Sequence, residues 1–222
     1  MSSDRVAAVI FDMDGVLVDS EPFWHAAELQ VFRALGVPLE LPMCLQTTGL
    51  RPDEVVRYWH ERFPWHGDLK EAEREMIDEV TRLVNAHGQA RHGVAHALAY
   101  LRPLKLPLAI ASSSPYRLIE AVCAKLGIRD AFSVTASAEE ELFGKPHPGV
   151  YLRAAAKLDV PPSSCLAIED SVNGVLAAKA ARMKCVAVPE PDLLADRRLG
   201  IADLVLPSLE RIEEAGALFG RG

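Results

Sequence analysis

The chain has 222 residues, half of them hydrophobic and a quarter charged, with a formal net charge of −7. That composition suits a globular protein with a sizeable core, and it excludes the basic surface on which nonspecific nucleic-acid binding rests. No apolar run approaches the length of a membrane span, the four cysteines form no CxxC pair, and Asp4 and Asp12 interrupt the start where a signal peptide would be apolar. The expectation is a cytoplasmic protein with reduced cysteines, Cys44, Cys123, Cys165 and Cys185, in its core.

The first predicted strand, Val6–Phe11, shows no polar alternation, as expected of a strand buried on both faces of a parallel sheet. It runs directly into Asp12-Met13-Asp14-Gly15. Ligands of open parallel sheets collect outside the carboxyl ends of the strands, so these aspartates fall where chemistry is normally done. Two carboxylates that close repel each other, which favours a bound cation or a shared proton. An EF-hand calcium loop is ruled out, because its fifth, sixth and twelfth positions would be Val16, Leu17 and Phe23. From this stretch alone, the alternative is that the aspartates merely cap a turn after the strand.

From Ser20 to His92 no strand pattern is found, only helix signals over Phe23–Leu35, Pro52–Phe63 and Leu69–His87. Gly36-Val37-Pro38 and Phe63-Pro64-Trp65 separate them, and Pro52 followed by Asp53 and Glu54 is a helix start. Some seventy helical residues are too many for an ordinary crossover, so an inserted lid over the end of the first strand is expected. Beyond it, strands are predicted at Leu106–Ala111, Val134–Ala136, Cys165–Ile168, Cys185–Val188 and Leu204–Leu206. Amphipathic helices alternate with them at Arg117–Leu126, Val150–Leu158 and Val172–Ala181. The fold class is therefore α/β: a Rossmann-like parallel-sheet core from residues 1–19 and 93–222, and a helical cap from residues 20–92.

Three further strand ends carry polar residues. Ser112-Ser113-Ser114-Pro115 leads into a helix, where hydroxyls and backbone N–H groups bind phosphate or merely cap the helix. Gly144-Lys145-Pro146-His147-Pro148 fixes a lysine in a stiffened loop, and Glu169-Asp170-Ser171 delivers carboxylates after another buried strand. His92 and His96 have the i, i+4 spacing of metal ligands but no third ligand nearby, and read as surface or junction residues.

Taken together and in this order, these four segments resemble the motifs of the haloacid dehalogenase-like hydrolases. The resemblance spans essentially the whole chain. Asp12–Glu21 matches the family signature nearly letter for letter, while Lys145–Pro148 and Glu169–Ser171 are similar to the β-phosphoglucomutase-like branch with a helical cap. Within that branch the chain most resembles bacterial hexitol and sugar-phosphate phosphatases that act on 2-deoxyglucose 6-phosphate. The shared stretches are Ile10–Pro22, Trp24, Pro64-Trp65, Ser137-Ala138, Lys145–Pro148, Ala167–Gly174 and Lys179–Met183.

The resemblance implies a phosphatase that hydrolyses small sugar phosphates through an aspartyl-phosphate. Asp12 would be the nucleophile, Asp14 the acid and base, Ser112 a phosphate donor and Lys145 the charge balance. One Mg²⁺ per site would be held by Asp12, the Asp14 backbone carbonyl and Asp170, with Glu169 bound directly or through water. Gly15 and Ser113 would join Ser112 and Lys145 around the phosphate. Selection of the leaving group is expected from the cap, with Glu21, Trp24, His25 and Arg51 as candidates; Trp24 could also be cap core. The implied partner is a small phosphorylated sugar or polyol, with no nucleic acid or membrane, and the chain is taken as a monomer. Rival readings are a β-phosphoglucomutase-type mutase, a phosphoglycolate phosphatase and a catalytically silent binding protein. Such mutases carry a cap histidine where this chain has Trp24, with His25 one place on.

Overall fold

The computed structural model describes residues 5–219. Asp4 and the outermost residues of the expected core segments lie outside them. Six parallel strands form one sheet in the order β3-β2-β1-β4-β5-β6. They are β1 (Ala8–Phe11), β2 (Leu108–Ser112), β3 (Val134–Ser137), β4 (Cys165–Glu169), β5 (Lys184–Ala187) and β6 (Leu204–Val205). The chain winds outward from β1 through β2 to β3, then returns to the other side of β1 with β4. The strand order therefore reverses beside β1, and a crevice opens at the carboxyl ends of such a switch point.

The strands lack polar alternation but alternate in size. Val9, Phe11, Leu108, Ile110, Leu166, Ile168 and Val186 face one side of the sheet. Ala8, Ile10, Ala109, Ala111, Cys165, Ala167, Cys185 and Ala187 face the other. Against the small face pack α7 (Gly149–Lys157) and α8 (Val172–Ala180), themselves presenting Ala154, Ala155, Ala177 and Ala178. The large face is covered by α5 (Val94–Leu101), α6 (Tyr116–Leu126) and the final 3₁₀ segment Leu209–Phe219.

Between β1 and α5 lie α1 (Glu21–Ala34), α2 (Leu41–Cys44), α3 (Pro52–Arg62) and α4 (Leu69–His87). None adds a strand to the sheet. Helix α4 buries Ala72, Met76, Val80 and Val84, a four-residue spacing that makes one apolar stripe. It packs on α1, α3 and α6. Phe32, Trp59 and Met76 of this segment belong to the same apolar cluster as Phe11 and Ile110 of the sheet.

The structure shifts several expected boundaries for identifiable reasons. Strand β1 begins at Ala8 rather than Val6, because its ladder with β4 opens at the Ala8–Cys165 pair. Strand β2 begins at Leu108 because Pro107 has no N–H to donate. Helices α2 and α5 were not expected. The first is a single turn opened by Pro42, and the second follows Gly93, which turns the chain with φ 88°. All four cysteines are buried and free, and His92 and His96 lie near the exposed Glu210 and Glu213.

Phe11 is fully buried at the centre of the sheet and meets Phe132 edge-on at 5.7 Å. Phe11→Ala is expected to lower unfolding stability by about 3–5 kcal/mol, read from the urea midpoint.

Candidate active site

The ends of β1, β2 and β4 and the loop before α7 converge on one cavity. Asp12, Asp14, Gly15, Ser113, Ser114, Lys145, Asp170 and Ser171 line it from below. Glu21, Trp24, His25, Glu28, Thr47 and Thr48 line it from the helical segment. Asp12 sits where the sheet ladder ends, its backbone N–H donating to Ile168 O at 2.9 Å. Gly15 follows with φ 76°, and a Cβ there would stand 2.0 Å from Asp170 Oδ2. Only glycine allows the β1 loop to lie this close to the β4 tip.

Lys145 Nζ is buried and pairs with Asp12 Oδ1 at 2.8 Å and Glu169 Oε1 at 2.6 Å. Tyr151 donates its hydroxyl to Glu169 Oε1 at 2.7 Å. The other Glu169 oxygen accepts from the N–H groups of Asp170 and Ser171 and from the Ser171 hydroxyl. Both oxygens of Glu169 are thus engaged within the protein, and Glu169 does not line the cavity. Burial alone would depress the lysine's proton affinity, but Asp12 and Glu169 outweigh it and hold the ammonium above its usual pKa. Burial likewise opposes ionisation of Glu169, yet Lys145 and Tyr151 hold it below the usual range.

Asp14 is held by four donors. The Ser20 hydroxyl and Trp24 Nε1 donate to Oδ1 at 2.6 and 3.1 Å. The hydroxyls of Ser114 and Ser112 donate to Oδ2 at 2.8 and 3.2 Å. Ser112 also accepts the Ser114 N–H at 3.0 Å, so it stands behind Asp14 rather than in the cavity wall. Trp24 therefore touches a motif aspartate directly, which neither of its sequence readings anticipates.

Ligand oxygens of Asp12, Glu169 and Asp170 all lie within 4.8 Å of one another. Burial, with Glu169 and Asp14 adding repulsion, pushes Asp12 up to about 8 despite Lys145. Burial and the charges of Glu169 and Asp12 push Asp170 well above the carboxylate range. Three carboxylates cannot all ionise around a single ammonium, and a divalent cation, which suits these hard oxygen donors, would let them. Asp12 and Asp170 are the carboxylates free to turn toward one.

Of the expected selectivity residues, Glu21, Trp24 and His25 line the cavity and Arg51 does not. Arg51 is turned into the seam beneath α3, donating to both Asp53 oxygens and to the carbonyls of Ala138 (3.1 Å) and Glu141 (2.8 Å). His25 Nε2 lies 3.5 Å from Glu21 Oε1, outside hydrogen-bonding geometry, and is buried with no hydrogen-bond partner among the described residues. Ser20, Glu28, Thr47, Ser114 and Tyr151 are site residues missed by sequence reading. Ser20 and Ser114 sit inside recognised motifs, Thr47 lies in the turn after α2, and Glu28 and Tyr151 depend on which helix faces reach the site.

The family model for haloacid dehalogenase-like hydrolases matches residues 6–182. Hexitol phosphatase B of Escherichia coli K12 is 44% identical over 218 residues, covering 96% of this chain and 97% of that protein. A phosphorylated carbohydrates phosphatase of Thermotoga maritima is 31% identical, covering 78% and 81%. Among solved structures, CbbY from Rhodobacter sphaeroides in complex with phosphate superposes with a TM-score of 0.82 at 29% identity, covering 94% of this chain and 96% of that one. The paired strand-tip carboxylates, the buried lysine and a family match over most of the chain agree: the protein belongs to the haloacid dehalogenase-like hydrolases.

Proposed function

We propose that the protein is a Mg²⁺-dependent phosphatase of small sugar or polyol monophosphates, acting through an aspartyl-phosphate on Asp12. The observation that carries the substrate class is the charge of the cavity wall. Among the described residues that line it, Lys145 is the sole lysine or arginine, and it is committed to Asp12 and Glu169. The helical side contributes Glu21 and Glu28 with the neutral partners Thr47 and Thr48. A neutral, hydroxylated leaving group suits that wall. A second phosphate, as in a mutase bisphosphate, or the carboxylate of phosphoglycolate would face acids with no cation to pair with. The hexitol and carbohydrate phosphatases among its relatives support the same class.

The chemistry follows from the placement of the side chains. An Asp12 oxygen attacks phosphorus, the bond from phosphorus to the sugar oxygen breaks, and Asp14 gives that oxygen its proton. Asp14 then takes a proton from the water that attacks the aspartyl-phosphate, which releases phosphate and restores Asp12. Ser20, Trp24, Ser114 and Ser112 keep Asp14 in place, and Ser112, buried behind Asp14, supports that aspartate rather than the phosphoryl group. Gly15 and Ser113 line the cavity in which the phosphoryl oxygens would sit. Lys145, fixed by Glu169 and Tyr151, balances the charge that Asp12 shares with the phosphoryl group. Asp12, Asp170 and the Asp14 backbone carbonyl would hold Mg²⁺, with Glu169 orienting Lys145 beside them. When bound, the ion would neutralise negative charge on the transferring phosphoryl oxygens.

Residues 20–92 act as the cap in this reading. They supply the wall opposite the strand tips and exclude bulk water once substrate is in place. The enzyme is taken as a cytoplasmic monomer, consistent with a small diffusible substrate.

Asp12→Asn is expected to lose roughly three orders of magnitude or more of Mg²⁺-dependent phosphate release while its circular dichroism stays unchanged. EDTA should abolish turnover by the wild-type enzyme and added Mg²⁺ should restore it. Gly15→Ala, which crowds Asp170, should raise the Mg²⁺ concentration for half-maximal activity by about tenfold or more. Incubation with β-glucose 1-phosphate and a bisphosphate primer should yield free phosphate; isomerised sugar phosphate without phosphate release would overturn the phosphatase reading.

A further inference from the structure

The helical wall of the cavity contains one carboxylate that the mechanism does not use. Glu28, on the third turn of α1, is only 3% exposed yet lines the cavity. Trp59 Nε1 and the Thr47 hydroxyl both approach its Oε2, each at 2.8 Å. Its Oε1 has no protein partner among the described residues, and it is not among the atoms sealed from solvent without one. Once a substrate displaces water from the cavity, that oxygen left unpaired would cost an amount comparable to a lost hydrogen bond or more. A ligand that brought a donor to it would recover that cost.

The local hydrogen bonds also fix what kind of ligand group Oε1 can accept. Trp59 can only donate. The Thr47 hydroxyl lies 2.8 Å from Glu28 Oε2 and 2.8 Å from Cys44 O, and has one proton to give. With Glu28 ionised, Thr47 donates to Oε2. Trp59 and Thr47 both serve Oε2, so the proton of the neutral acid takes Oε1 and makes it a donor, whereas the ionised form presents Oε1 as an acceptor that a ligand hydroxyl stabilises. This matters because burial, against the opposing bonds from Trp59 and Thr47, pushes Glu28 up to about 7, where both forms are populated at neutral pH.

Glu21, Trp24, His25 and Glu28 recur at i, i+3, i+4 and i+7 and so share one face of α1. Trp24 is spent on Asp14, and His25 Nε2 is unpartnered like Glu28 Oε1. On this face Glu28 Oε1 is the unpartnered atom open to the cavity, since His25 Nε2 is sealed from solvent. Resting on the phosphatase reading above, we propose that Glu28 Oε1 accepts a hydrogen bond from a hydroxyl of the leaving group and so selects polyhydroxylated carbon chains over plain ones.

The test compares sorbitol 6-phosphate, hexyl phosphate of the same chain length, and p-nitrophenyl phosphate, each with Mg²⁺. The wild-type enzyme is expected to favour sorbitol 6-phosphate over hexyl phosphate by at least about tenfold in kcat/KM, since a site built to bond a hydroxyl rejects the analogue without one. Glu28→Gln keeps the acceptor for Trp59 and turns a donor toward the cavity. It should lower kcat/KM for sorbitol 6-phosphate about tenfold or more, chiefly through KM, and change the other two by less than about twofold. Glu28→Asp, which keeps the charge but withdraws the oxygen, should show the same selective loss.

Equal loss on all three substrates would make Glu28 a support for Trp59 and Thr47 and overturn the assignment, as would an unchanged KM for sorbitol 6-phosphate. If both variants fail to fold, a wild-type enzyme that treats sorbitol and hexyl phosphates alike overturns it without them. Absence of phosphate release from any of the three by the wild-type enzyme would instead remove the underlying phosphatase reading.

Discussion

Lys145 holds together a group of carboxylates that the sheet would otherwise force into mutual repulsion. The tips of β1 and β4 bring Asp12, Glu169 and Asp170 within one small volume because their strands are hydrogen-bonded neighbours. Lys145 Nζ lies between Asp12 and Glu169, and Tyr151 and the Ser171 backbone hold Glu169 in turn. Removing one partner of a buried ion pair typically costs about 3–5 kcal/mol, so the lysine supports the fold as well as the chemistry. It is carried by a loop that the helical segment grips. Arg51 donates to the carbonyls of Ala138 and Glu141, and Glu54 accepts the Gly144 N–H at 3.3 Å. A residue that sequence reading assigns to leaving-group selection thus secures the neighbourhood of the lysine.

Most of the framework is legible in the chain because its signals are local. The apolar run before Asp12 and the alternation of strands with helices both follow from burial periodicity. The ends of α4 at Leu69 and His87 are read correctly because Asp68 caps its start and Gly88 follows its last turn. Boundaries slip where the cause lies on another strand, as at Ala8, whose ladder depends on Cys165. Large and small residues share the apolar runs, so the distinction between the two sheet faces is not visible as polarity.

The strand-tip motifs were legible for the same reason: each is a short segment with its chemistry in consecutive residues. What escaped is set by distant approach. Glu28 reads as an ordinary polar residue of α1, and nothing near it in sequence announces that Trp59, thirty-one residues on, will donate to it. Arg51 follows a polar, glycine-containing loop, which suggests ligand contact, but Asp53 two residues later and two core carbonyls claim its guanidinium. Trp24 was an ambiguous aromatic until its indole N–H met Asp14. In each case the deciding partner belongs to another element.

The size asymmetry of the sheet makes its two sides unequal in how much change they can absorb. On the alanine face, α7 and α8 ride close against Ala109, Ala111, Ala167 and Ala187, so an added methylene there has no slack to enter and pushes on the strands themselves. The opposite face is filled by long side chains that can exchange volume with one another and with the helical segment. One side of the molecule behaves as a fixed jaw that sets the strand tips, and the other as the adjustable jaw. Sequence drift can therefore reshape what enters the cavity while the reacting carboxylates keep their spacing.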